Sequence, residues 1–301
     1  MSNARSVPER PDAISIDVGE ALRRIRFRSL VAGAIQRLRG GDGPSYARSV
    51  GFQLVMATLP GIIFFTGMAA WTGAEALITA IEGTFSALTP GPTAEVFRTA
   101  IEQADEKNGN LAAVIAGGLA SLTSGALCMA QIASGANRLY GIDVDRPVLR
   151  RYALATALAV VAGFLLLIAF VAISAGDILG EIVGDGSFWL WLRWPLGVVI
   201  AVAAITLLYR LAPNRHQPQL RWLVIGAGVA TLLWLIATGG LSMYLTMSST
   251  FGEVYGPLAG VIGLMLWAQA TGLALMGGIS FAAELEAEAP RPMPGPIVVG
   301  A

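Results

Sequence analysis

Histidine and cysteine are nearly missing from this 301-residue chain, which has one His, His216, and one Cys, Cys128. A single thiol excludes intramolecular disulfides and Cys-cluster metal sites. A lone imidazole leaves a His-based metal centre or a Ser-His-Asp triad without its parts, so neither a metal nor a cofactor is expected. Charge is scarce too. Charged residues make up 13% of the chain, where a soluble protein carries about 25%. No GxxxxGK[ST], HExxH, CxxC or GxSxG pattern occurs, which removes the usual residues for ATP hydrolysis, zinc hydrolysis, dithiol redox and serine esterase chemistry. No catalytic residue is assigned, and the chain is not expected to be an enzyme.

What the sequence has instead is apolar length. It is 55% hydrophobic with a mean hydropathy of +0.65, and its apolar residues gather into six runs free of Asp, Glu, Lys and Arg: 49-74, 108-137, 152-174, 194-209, 222-252 and 254-283. About 20 helical residues cross a ~30 Å hydrocarbon core. Five runs exceed that length. The fourth has 16 residues between Arg193 and Arg210, and snorkelling Arg side chains extend it to a span of about 192-211. An all-α, polytopic membrane protein with six transmembrane helices follows. Its first apolar run is too long, and begins too late, for a cleavable signal peptide.

Orientation comes from the basic residues. Nine precede or include Arg48; Arg138, Arg146, Arg150 and Arg151 follow span two; three more lie in 210-221 and Arg291 in the tail. Only Arg98, Lys107 and Arg193 fall on the other side, a split of 17 to 3. The positive-inside rule then puts both termini in the cytoplasm of a multi-pass inner-membrane protein.

The chain divides into a polar tail (1-13), a cytoplasmic amphipathic segment (14-45), a six-span domain (46-286) and a Pro-rich tail (287-301). In the second of these, Phe27, Leu30, Val31, Ala34, Ile35 and Leu38 form one helical stripe. Arg26, Arg28, Arg37 and Arg39 are expected on the opposite side. Such a helix suits the membrane interface or a cap on the bundle's mouth. Between spans one and two, residues 74-106 carry two short amphipathic patterns separated by Pro90-Gly91-Pro92, read as an external helical insertion with an acidic face.

Polar groups inside apolar spans are penalised by lipid unless they face protein or water. Gln53 lies in span one, Gln131 and Asn137 toward the inner end of span two, Tyr255 at the start of span six and Gln269 near its middle. Such amides either line a path or bridge helices. Pro60 removes the hydrogen bond to the Met56 carbonyl and should kink span one. Thr58 and Gln53 are near enough in sequence to satisfy that carbonyl. Pro195 and Pro257 are expected in the first turns of their spans, where a missing N–H costs nothing. Gly256 and Gly260, with Gly272, Gly277 and Gly278, suggest close helix packing in span six.

Several stretches together resemble the BrkB/YihY family of bacterial inner-membrane proteins. They are SVGFQLVMATLP ending at Pro60, ANRLYG containing Asn137, Tyr209-Arg210-Leu211-Ala212-Pro213-Asn214, Gly226, Tyr244, Tyr255-Gly256 and Trp267. The similarity covers about residues 15 to 286. It implies six transmembrane helices, an external insertion after the first and cytoplasmic termini. One departure matters: where the family usually reads Gly-Ala-Glu near the end of span six, this chain has Gly277-Gly278-Ile279, and the nearest acid is Glu284.

The family once carried a ribonuclease label. The residues argue against it, since no two-metal ligand set exists and the basic residues are spread along one membrane face rather than on a nucleic-acid domain, so no nucleic-acid partner is expected. The resemblance implies an envelope-associated role, with transport of an amphipathic or lipid-linked molecule the usual proposal. Membrane lipids are the expected partners. Two functions stay open: a secondary or facilitative transporter or flippase, with Gln53, Pro60, Gln131, Asn137, Tyr255 and Gln269 along a path and Arg48, Arg138, Arg150, Arg151 and Arg210 drawing anionic headgroups; or a non-transporting scaffold for envelope integrity.

Overall fold

Seven helices account for nearly all of the computed structural model, which describes residues 6–7, 26–72, 99, 111–183, 186–215, 220–247, 255 and 258–288. They are α1 (Phe27–Gly40), α2 (Gly43–Thr72), α3 (Leu111–Tyr140), α4 (Val148–Val183), α5 (Gly186–Leu211), α6 (Leu220–Met247) and α7 (Ala259–Glu288). No strand occurs among the described residues. The external insertion expected over 74-106 lies outside them apart from Thr99, as do most of both tails, His216, Glu253 and Pro257.

Five of these helices, α2, α3, α4, α6 and α7, contain stretches long and apolar enough to cross a membrane, and α5 adds the apolar stretch Pro195–Leu211. The protein is an all-helical, multi-pass membrane protein. Each spanning helix packs on its sequence neighbours, and α7 returns to α2, so the order α2-α3-α4-α5-α6-α7 closes on itself. Short links at one end (141–147 and 212–219) and the passage from α1 into α2 gather α1, the starts of α2, α4 and α6, and the ends of α3, α5 and α7 there. This is called the α1 end below.

Small residues explain the tightest contacts. In lipid there is no hydrophobic drive between helices, so close backbone approach carries the packing. A Cβ on Gly117 of α3 would sit 2.9 Å from the carbonyl oxygen of Pro60, and one on Gly61 would sit 2.9 Å from Ser121 Oγ. Gly226 of α6 and Gly278 of α7 oppose each other, each within 2.9 Å of the other's carbonyl by the same measure. Gly272 of α7 lies against the backbone of Ala47, and Gly51 of α2 against that of Gln269.

Packing is uneven along the bundle. The main core cluster joins Ala47, Val50, Ile132, Ala136, Tyr140, Tyr209, Leu223, Ala227, Met276, Ile279 and Ala283, all near the α1 end. Toward the other end, Gly197 of α5 and Gly239 and Gly240 of α6 have no atom within 4 Å of where a Cβ would stand, and the same holds for Gly163 midway along α4 and Gly228 beside Ala227.

Three sequence expectations need correction. Pro195 is not in a first turn: α5 starts at Gly186, because the residues before the apolar run continue the helix, and the proline is internal. Arg37 is not opposite the apolar stripe of α1. It is buried together with Leu30 and Ala34, while Phe27 (72% exposed) and Ile35 (45% exposed) point away. The stripe facing the bundle runs Leu30-Ala34-Arg37 because an acid on α7 waits at its end. Around Pro60, the Thr58 hydroxyl donates to the Leu54 carbonyl, not to Met56, and Ser121 of α3 donates to the Ala57 carbonyl at 2.9 Å.

Candidate functional site

A helix ends with four carbonyls that lack intrahelical donors, and α3 shows how the α1 end uses them. Gly141 adopts φ 71°, the left-handed conformation that glycine enters without steric cost. This lets Gly141 N–H donate to the Arg138 carbonyl (3.1 Å) and Ile142 N–H to the Asn137 carbonyl (2.8 Å), the paired bonds of a Schellman cap. The last two carbonyls are met from a distance in sequence. Arg37 Nη1 of α1 donates to Leu139 at 3.0 Å, and the Val7 N–H donates to Tyr140 at 3.1 Å. All four are satisfied.

The end of α5 is closed by another arginine. Arg146, in the α3–α4 link, donates through Nη1 to the Ala212 carbonyl (2.7 Å) and through Nη2 to those of Pro213 (2.7 Å) and Leu211 (3.2 Å). A cation there also meets the negative end of the helix dipole. Burial lowers the pKa of Arg146, and the carboxylate of Asp145 beside it works in the opposite direction.

Asn137 holds the two ends together. Its Nδ2 donates to Asp145 Oδ1 at 2.9 Å, and its Oδ1 accepts the Asn214 N–H at 2.7 Å. Asn214 in turn donates to the Val144 carbonyl, and Asp145 pairs with Arg151 at 3.4 Å. The ANRLYG and YRLAPN stretches, 70-odd residues apart, thus form one interlocked unit. Tyr209 extends it across the bundle, its hydroxyl donating to the Leu275 carbonyl of α7 at 2.7 Å.

Two ion pairs, one buried and one partly buried, secure the end of α7. Glu284 accepts from Arg37 Nε at 2.8 Å, with side-chain exposures of 17% and 3%. Glu286 accepts from Arg215 Nη2 at 2.5 Å, with exposures of 4% and 2%, and the Arg215 guanidinium lies 4.7 Å from the centre of the Tyr140 ring. Their spacing of two residues turns the acids to roughly opposite sides of α7. Glu284 faces α1, and Glu286 faces α3 and the α5–α6 link. Although Gly277-Gly278-Ile279 lacks an acid, Ala282-Ala283-Glu284 repeats a small-small-acid pattern further along the helix, and that acid is paired.

The sequence-expected residues are dispersed. Asn137 is buried in the polar knot, and Pro60 packs on Gly117. Gln53 and Gln131 are half-buried and make no hydrogen bond among the described residues. Tyr255 is 43% exposed and Gln269 is exposed on α7. Of the arginines, Arg48, Arg150 and Arg210 are exposed, Arg138 is half-buried, and Arg151 pairs with Asp145. Sequence reasoning missed Arg37, Arg215, Asp145, Arg146 and Glu286 as members of one cluster. The available signal was a set of charges crowded at span ends on the basic side.

Known proteins fit this architecture. The chain is similar, at 24% identity over 247 residues, to the "Putative ribonuclease-like protein YfkH" of Bacillus subtilis, covering 79% of this chain and 88% of that one. It is 34% identical over 92 residues to a "UPF0761 membrane protein" of Tolumonas auensis (30% of each chain). To a protein of the same description from Halorhodospira halophila it is 28% identical over 173 residues, 56% of this chain and 38% of that one. No solved structure matches. The family model described as "Virulence factor BrkB" matches residues 34–296, and with nearly the whole bundle inside that match, the chain belongs to the BrkB family of integral membrane proteins.

Proposed function

We propose that this protein is a secondary or facilitative transporter or flippase for an anionic amphipathic or lipid-linked molecule, in a bacterial inner membrane with the α1 end in the cytoplasm. The observation that carries this reading is the asymmetry of the bundle. The six helices close at the α1 end around the polar knot, while toward the other end Gly197 of α5 and Gly239 and Gly240 of α6 face open space. A bundle closed at one end, with open positions on α5 and α6 toward the other, suits one state of an alternating-access protein. The seal combines the main apolar core cluster with ion pairs and carbonyl caps, and the polar contacts can break and re-form. Exposed Arg48, Arg150 and Arg210 supply positive charge where anionic headgroups lie.

Reconstitution into proteoliposomes containing fluorescent phosphatidylglycerol tests it. Protein-dependent movement of the probe between leaflets is the expected result. Movement in wild type should be lost when Gly240→Trp and Gly197→Trp fill the open positions, with the protein still monodisperse in detergent. Absence of movement for a panel of anionic lipids would leave the scaffold reading, in which the knot only fixes the helices.

A further inference from the structure

We infer that the outward seam between α2 and α7 is a docking site for one anionic glycerophospholipid of the leaflet at the α1 end, with Arg48 holding its phosphate and Gln269 an ester carbonyl. The inference concerns a bound lipid and holds whether or not the protein moves lipid across the membrane.

Gln269 is the starting point. It sits inside a membrane-spanning helix, it is exposed, and it makes no hydrogen bond among the described residues. An amide in hydrocarbon requires a partner. It does not look into the bundle. Nine residues separate it from Gly278, half a turn out of phase at 100° per residue, and Gly278 is the position that meets Ala230 of α6 and Tyr209 of α5. Gln269 shares its side of α7 with exposed Leu266 and Leu273, and with Ser280, whose hydroxyl donates to the Ala34 carbonyl of α1 at 2.7 Å. That side is the outer surface, and α1 forms its floor.

The neighbouring helix completes the site. Gly51 brings α2 so close that a Cβ would lie 2.9 Å from Gln269 Cα, and Ala47 abuts Gly272 one turn nearer the α1 end. Arg48 falls between these two levels. It is exposed, and its described hydrogen bond, Nη2 to Ser45 Oγ at 3.0 Å, stays within its own turn. Arg48 therefore stands only about 5 Å nearer the α1 end than Gln269, three residues at 1.5 Å each. A phosphate and the ester groups of the same lipid are separated in depth by a comparable amount. Beyond them, exposed Phe52 and Met56 on α2 and Leu266 on α7 offer an apolar track for an acyl chain. A guanidinium can bind phosphate through two parallel N–H donors, and the Gln269 amide can donate to a carbonyl. A second copy of the chain fits less well, because a two-fold axis along the membrane normal would bring the two Arg48 side chains to the same height, like charge toward like.

The test uses the full-length protein in a zwitterionic detergent, titrated with phosphatidylglycerol, phosphatidylcholine or soluble glycerol phosphate while thermal unfolding is followed. Phosphatidylglycerol should raise the melting temperature at lower concentration than phosphatidylcholine, and glycerol phosphate should not raise it. Arg48→Gln should raise the half-saturating phosphatidylglycerol concentration roughly tenfold, the loss of one charge-assisted contact, and Arg48→Lys should recover part of it. Gln269→Leu should weaken both diacyl lipids. Arg39→Gln, on the exposed face of α1 away from the seam, should leave the titration unchanged. The inference is overturned if wild type shows no preference for phosphatidylglycerol, if Arg39→Gln matters as much as Arg48→Gln, if glycerol phosphate alone gives the shift, or if Gln269→Leu alters only the oligomeric mass.

Discussion

Arg215 and Glu286 show what a single residue can cost in this protein. Both side chains are nearly inaccessible, so removing either leaves a charge in a poorly solvated place. Loss of one partner of a buried pair typically costs about 3–5 kcal/mol, whereas replacing both by apolar groups is often neutral or stabilising. Glu286→Gln and Arg215→Met are each expected to lower the melting temperature in detergent clearly, and the double variant Arg215→Met/Glu286→Leu to recover most of the loss. If the double variant melts no higher than the singles, the pair is not an isolated charge balance and the stacking on Tyr140 carries more of the stability. This residue level was the least legible in the sequence. Charges near span ends were visible, but which Arg meets which Glu depends on partners 71 and 247 residues away in the chain. Helical periodicity placed Arg37 on a solvated face because it cannot register an acid arriving from α7.

At the scale of the helices, the glycines separate into two kinds, and substitution should separate them too. Gly272 lies against the backbone of Ala47, which cannot rotate aside as a side chain can. Gly272→Val should push α2 and α7 apart and destabilise by about 1–3 kcal/mol, in the range of overpacked cores. Gly240 faces open space, so Gly240→Ala should be neutral or stabilising by up to about 1 kcal/mol through helix propensity. Unfolding in a urea and detergent series would compare them, and equal losses would refute the packing assignment. Pro60, inside α2, makes a further prediction. Pro60→Ala restores the backbone hydrogen bond, so the protein should stay folded; if Pro60 provides a hinge, lipid movement falls while the melting temperature holds or rises. Full transport in a stable variant would remove Pro60 from the mechanism. Helix number and type were readable in advance because charge-free length is a strong signal in lipid. The ends were read less well: α5 begins before its apolar run and α4 continues to Val183, since helices extend past the hydrocarbon into the polar layers where hydropathy no longer marks them.

For the whole molecule, the proposed orientation rests on the 17-to-3 distribution of basic residues. In a Cys128→Ser background, cysteine at Val144, which is 76% exposed in the link at the α1 end, should resist a membrane-impermeant thiol reagent in intact spheroplasts and react after lysis. Cysteine at Asn108 should react without lysis. The reverse pattern would invert the proposed topology. Cys128 is buried and its thiol points at the Val50 carbonyl at 3.8 Å, so serine can keep that contact in the background protein. The cyclic helix order was not legible beforehand, because no sequence periodicity records that α7 returns to α2.

The pairing of Arg37 with Glu284 also bears on biogenesis. Arg37 belongs to the first described helix to leave the ribosome and Glu284 to the last, so every membrane helix is inserted before the first acquires its buried counter-ion. Until then Arg37 lacks the Glu284 carboxylate, and a product terminated before α7 would lack it permanently. The contact can therefore form only in a chain whose synthesis has passed α7.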